Sequence, residues 1–125
     1  MRLNFLVAVW LCVASNLHQL WRFTSQVQQL NAAYGPWTPR IVVAPLLLAC
    51  AQLFLFFRFY RFGGAAARVA AACAGVVLGL IVLVQLLRAS IDIPVSVSGT
   101  WLYTYFAASH LAYALFGGRV ERRAA

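Results

Sequence analysis

The chain has 125 residues, of which 64% are hydrophobic, and its mean hydropathy of +0.83 lies far above that of a water-soluble domain. Ten arginines face only two acidic residues, for a net charge of +8 and a pI near 10.5. In a soluble protein that balance would suggest nucleic acid, but the arginines stand at the ends of apolar stretches and form no basic helix face, so no nucleic-acid partner is expected.

Four apolar stretches, Leu3–Trp21, Ile41–Tyr60, Ala65–Leu87 and Gly99–Phe116, fill most of the chain. A hydrocarbon core of ~30 Å needs about 20 helical residues at 1.5 Å each, and every stretch comes near that length. Only about forty residues are left for tails and loops, too few for a soluble catalytic domain. Strand-like alternation is missing, and an open sheet edge cannot face lipid, so the spans are expected to be helices. The expected fold is all-α: one transmembrane domain over residues 1–125, an integral membrane four-helix bundle with up-down topology, and an outer interfacial segment at 22–40.

Charge sets the orientation. Arg2, Arg58, Arg61, Arg68, Arg119, Arg122 and Arg123 fall on one side of such a bundle, and Arg22, Arg40 and Arg88 on the other. The positive-inside rule then puts both termini and the middle loop in the cytoplasm. Lysine is absent while alanine and arginine are abundant, a usage that accompanies GC-rich genomes and points to a bacterial inner membrane.

The first stretch has the parts of a signal peptide: Arg2, the apolar run Phe5–Val13 and the small-residue site Val13-Ala14-Ser15. It is read as a retained first helix that doubles as a signal anchor. In the segment that follows, Phe23, Val27, Leu30 and Tyr34 recur at helical spacing among Gln26, Gln28, Gln29 and Asn31. This pattern predicts a short interfacial helix or an extension of the first span, broken by Gly35-Pro36, with Trp21 and Trp37 at headgroup level. Pro39 and Pro45 fall near the start of the second span, and Pro45 is expected to add a slight kink.

Rings alternate with arginine at Phe57-Arg58-Phe59-Tyr60-Arg61-Phe62, a pattern that anchors helices at the interface; Arg58, Arg61 and Arg68 are the candidate contacts for lipid headgroups. Gly63-Gly64 then ends the second span, and spans two and three are expected to form an antiparallel hairpin. In the third span Ala67, Ala71, Gly75 and Gly79 recur every four residues, with a G-x-x-x-G at Gly75 and Gly79. Small side chains in such a row let two backbones approach closely, so these four are the candidate helix-packing residues. In the outer loop, Asp92 is placed to pair with Arg88; Trp101, Tyr103 and Tyr105 are expected at the outer interface, and the basic tail from Gly117 is expected to fray.

Chemistry inside the spans is sparse. No Asp, Glu or Lys lies deep in any of them, which counts against small proton-coupled exporters that need a mid-membrane carboxylate. Cys12, Cys50 and Cys73 occupy three different spans with no Cys-x-x-Cys spacing, so quinone-linked disulfide chemistry has no residues to run on. His18 and His110 could invite a haem, but they differ by ~12 Å in depth, too far for two axial ligands of one iron. No cofactor, metal site or catalytic set is expected. Ser15, Asn16, His18, Gln19, Thr104 and His110 are the candidates for a polar path, alongside the plainer reading that such groups bond between helices. The function expected is that of a non-enzymatic accessory or structural subunit packing with partner membrane proteins or with itself. A small oligomeric channel or transporter, and an immunity protein against a pore-forming toxin, are the alternatives.

Overall fold

The computed structural model describes residues 2–91 and 97–124, with side chains described for 2–91 and 99–118. All regular structure among them is helical: α1 (Arg2–Ser25), α2 (Val27–Tyr34), α3 (Thr38–Leu55), α4 (Gly64–Ser90) and α5 (Val97–Ala124), with a 3-10 turn at Gly35–Trp37 and a π-helical turn at Phe56–Tyr60. Three segments, Arg2–Ser25, Val27–Tyr60 and Gly64–Ser90, are long and apolar enough to cross a membrane. Helix α5 is as long but stands outside that group. The fourth stretch owes its apolar look to Trp101, Tyr103, Tyr105 and Tyr113, whose polar tips, with Thr100, Thr104, Ser109 and His110, lower its hydropathy. Asp92 lies outside the described residues.

The contacts divide the chain into two compact units, Met1–Val9 with Leu55–Ala125, and Trp10–Phe54. In the first, α4 and α5 pack along much of their lengths, and the π turn packs on α4. Gly75 marks a close approach: a Cβ built there would lie 2.9 Å from Leu111 Cγ and 3.2 Å from His110 Cβ. Ala67 and Ala71 are buried on the same face. Gly79 is half-buried, and a Cβ there would meet nothing within 4 Å. At the start of α4, Gly63 and Gly64 take φ of 73° and 84°, a left-handed reversal that side chains with a Cβ rarely adopt.

Phe5 plugs this unit. Its ring stacks on Tyr113 at 4.2 Å with 4° between planes, and meets Tyr60 edge-on at 4.8 Å. Val9, Ala67 and Ala71 close the cluster, with Leu6, Leu55 and Phe59 at its margin. The Tyr105 hydroxyl donates to Asn4 Oδ1 at 2.9 Å, so Tyr105 lies level with the start of α1. With 28 residues, α5 is ~42 Å long. Its backbone runs on through Gly117 and Gly118 to Ala124 instead of fraying; no proline interrupts the tail, and Ala, Arg and Glu favour the helix.

In the second unit, α1 ends where Thr24 and Ser25 both donate hydroxyl bonds to the Trp21 carbonyl, at 2.9 and 2.8 Å. Side chains that bond back in this way loosen a helix terminus. The break falls at Gln26 (φ −119°, ψ 27°), and α2 follows at once. Gly35 (φ 59°) ends α2, and Thr38 Oγ1 donates to its carbonyl at 2.9 Å, turning the chain into α3. Pro45, Ala49 and Gln52 form the buried face of α3 with Thr38.

Two stability outcomes follow from this packing. Lipid is as apolar as a ring, so Phe5→Ala loses contacts rather than hydrophobic transfer energy. The ~80 Å³ it vacates costs about 2 kcal/mol at about 24 cal/mol per Å³, to be read from unfolding in mixed detergent micelles. Gly75→Val should lower the unfolding midpoint markedly, whereas Gly79→Val should leave the isolated chain near wild type. Equal losses would place the close contact elsewhere on α4.

Candidate functional site

The densest arrangement of chemically capable side chains lies in the first unit, where His110, Tyr60, Phe5 and Tyr113 are each at most 1% exposed. His110 comes from mid-α5 and stands edge-on to Phe5 at 5.1 Å and to Tyr60 at 6.2 Å. Its Nδ1 is 2.7 Å from the Phe106 carbonyl one turn back. A carbonyl only accepts, so Nδ1 is the donor in this contact, and the ring packs edge-on among its aromatic neighbours.

The π turn brings Tyr60 into the cluster. The Arg61 amide donates to the Phe56 carbonyl at 3.1 Å, five residues back, and the extra residue in that turn rotates the side chains after it relative to a plain α-helix. Arg2 secures the same turn: its Nη2 donates to the Arg61 carbonyl at 2.7 Å and to the Tyr60 carbonyl at 3.4 Å. Around it, Arg61 lies 4.6 Å over the Phe62 ring and donates through Nε to the Phe57 carbonyl at 3.0 Å, and Arg58 lies 5.4 Å over Phe59. Cations over ring faces near the end of an apolar helix suit the headgroup layer.

The headgroup candidates therefore sit in different settings. Arg58 and Arg61 are exposed beside their own rings, and Arg68 is half-buried in a groove between α4 and α5. The packing candidates Ala67, Ala71 and Gly75 face inward, and Gly79 opens outward.

The six polar-path candidates are split between the units. Ser15, Asn16, His18 and Gln19 belong to the second, and Thr104 and His110 to the first. Asn16 is fully buried and donates to Cys12 Sγ at 3.5 Å, with Gln52 also bonding the Cys12 thiol. Gln19 accepts from Arg22 at 3.4 Å, and exposed His18 lies 6.1 Å from the Trp21 ring. Thr104 is exposed and returns its hydroxyl to the Thr100 carbonyl at 2.8 Å. Each of these bonds is a local one that settles a polar group within its own helix or beside it. Of the cysteines, Cys12 is buried and Cys50 and Cys73 lie on outward faces. Among the described residues no three His, Cys, Asp or Glu side chains converge as a metal site would require.

Sequence reasoning missed two participants. In the sequence Arg2 reads as a topology signal and as the basic start of a signal peptide, because nothing local shows that it reaches carbonyls 58 and 59 positions away. Phe5 was one apolar residue among many; its place in a heptad-like row with Ala8, Val9 and Cys12 was the available signal. No known protein family, curated protein or solved structure matches this chain.

Arg2→Gln should loosen the π turn by about 1 kcal/mol, the worth of a partly exposed charge-assisted hydrogen bond. Hydrogen exchange of the Arg61–Gly64 amides in micelles should speed up several-fold while the middle of α4 stays protected. Unchanged exchange would show that the turn holds without Arg2.

Proposed function

We propose that the chain is a multi-pass protein of a bacterial inner membrane, with four spans and cytoplasmic termini, serving as a non-enzymatic accessory or structural subunit that packs against other membrane proteins or its own copies. The observation that carries this reading is the outward face of α4. Val76, Leu80, Leu83 and Leu87 are each about half exposed there, at helical spacing, and Gly79 opens a notch between them.

Small residues on an exposed apolar helix face permit close approach of a second backbone, and van der Waals packing is what associates helices in lipid. The buried polar groups support the same reading. Asn16 and His110 bond locally, as groups used in packing do, and the candidate path residues divide between two units.

A photo-crosslinking residue at Val76 or Leu83, in cells expressing the full chain, should give a discrete protein adduct that Gly79→Leu abolishes while the circular dichroism of the purified variant stays helical. Adducts with lipid alone, from a particle of monomer mass with no co-purifying chain, would overturn the subunit reading.

A further inference from the structure

We infer that the outward face of α4 docks a second copy of this chain, α4 against α4 in parallel, with the two Cys73 side chains meeting across the axis. The inference rests on the subunit reading and names the partner that reading leaves open.

Val69, Cys73, Val76, Leu80, Leu83 and Leu87 recur at alternating steps of four and three residues. That is a 3.5-residue period, the repeat that keeps one line of side chains facing a neighbouring helix along its length. The five aliphatic members are between 49% and 65% exposed, and Cys73 is exposed with them. The opposite side of the same helix is already occupied. Ala67, Ala71, Gly75 and Leu78 are buried there, with Leu111 and His110 of α5 against Gly75.

The repeat itself points to the occupant. Every copy carries the same arginines and so inserts the same way round, which makes two facing α4 helices parallel. About a two-fold axis each residue then meets its own counterpart, so a heptad stripe matches itself without any offset. Charges beside such a stripe would select a different helix. Here Ala72, Val77, Gly79 and Val84 flank it, and none is charged. Gly79 also lets a second backbone come close along one edge. The five aliphatic residues expose about 100 Å² each, so two copies would cover about 1,000 Å², the size at which specific interfaces begin.

Cys73 makes the pairing readable. Two thiols held face to face join when each gives up one proton and one electron to an oxidant, here copper(II) phenanthroline. The full chain, with Cys50→Ala to remove the other exposed thiol, is oxidised in the membranes of cells that express it. A disulfide-linked dimer should form and should vanish in Cys73→Ala. In that double-alanine background, Val76→Cys, Leu80→Cys and Leu83→Cys should each restore it, about tenfold above Ile81→Cys and Leu86→Cys off the stripe. Leu80→Ala with Leu83→Ala, which keeps the span apolar, should cut the Cys73 dimer by a similar factor. Equal yields on and off the stripe, or a Cys73 dimer indifferent to those two alanines, would mean random collision and overturn the pairing. No disulfide at any stripe position, beside a Val76 photo-adduct of a mass other than two chains, would overturn the second copy and leave the subunit reading standing. Lipid adducts alone would overturn both.

Discussion

A hydrocarbon surrounding offers helices no hydrophobic reward for touching one another, because a lipid tail is as good a neighbour for leucine as another leucine is. What remains is close fit, and the contact between α4 and α5 at Gly75 supplies it. With no Cβ in the way, Leu111 and His110 come down on the α4 backbone, and Ala67 and Ala71 continue the low surface toward the start of that helix. The aromatic cluster depends on this fit. Tyr113 can stack on Phe5 only if α5 is held near α4, and Gly117 leaves room for the Tyr113 ring, which a Cβ there would approach to 2.8 Å.

Polar groups follow from the same solvent. A donor or acceptor left alone in hydrocarbon is costly, so each finds the nearest partner its helix provides. His110 bonds to Phe106, Asn16 to Cys12 and Thr104 to Thr100, at spacings of four residues. These bonds fix rotamers within one helix, while Gln52 of α3 also bonds the Cys12 thiol of α1. In the first unit, long-range polar contacts gather at the exposed start of α1, where Arg2 reaches the carbonyls of the π turn and Asn4 receives the Tyr105 hydroxyl. The apolar middle is held by shape and the end of the first unit by charge.

Helix content was legible from length and apolarity alone, since about twenty such residues have few other options. The reversal at Gly63-Gly64 was legible for a local reason: only glycine takes those φ values easily. The small-residue row showed which face of α4 could approach a neighbour, but not that Gly75 would face α5 while Gly79 opened outward; a 3.6-residue helix drifts sideways along any four-residue row. The π turn was hidden because one extra residue in a turn leaves no compositional mark. His110 looked like part of a polar path because a histidine reads as polar in a list of residues. Its neighbours in space are rings from positions 5 and 60, a relation no local pattern encodes.

The stacking of Phe5 on Tyr113 joins the first helix of the chain to the last. During synthesis α1 therefore exists well before the ring it will meet, and Phe5 and Val9 have only apolar surroundings to rest against in the meantime. An apolar row tolerates that delay, as a charged one would not. The interior of the first unit closes only when α5 arrives, which makes the Phe5 seam the last of its contacts to form in chain order.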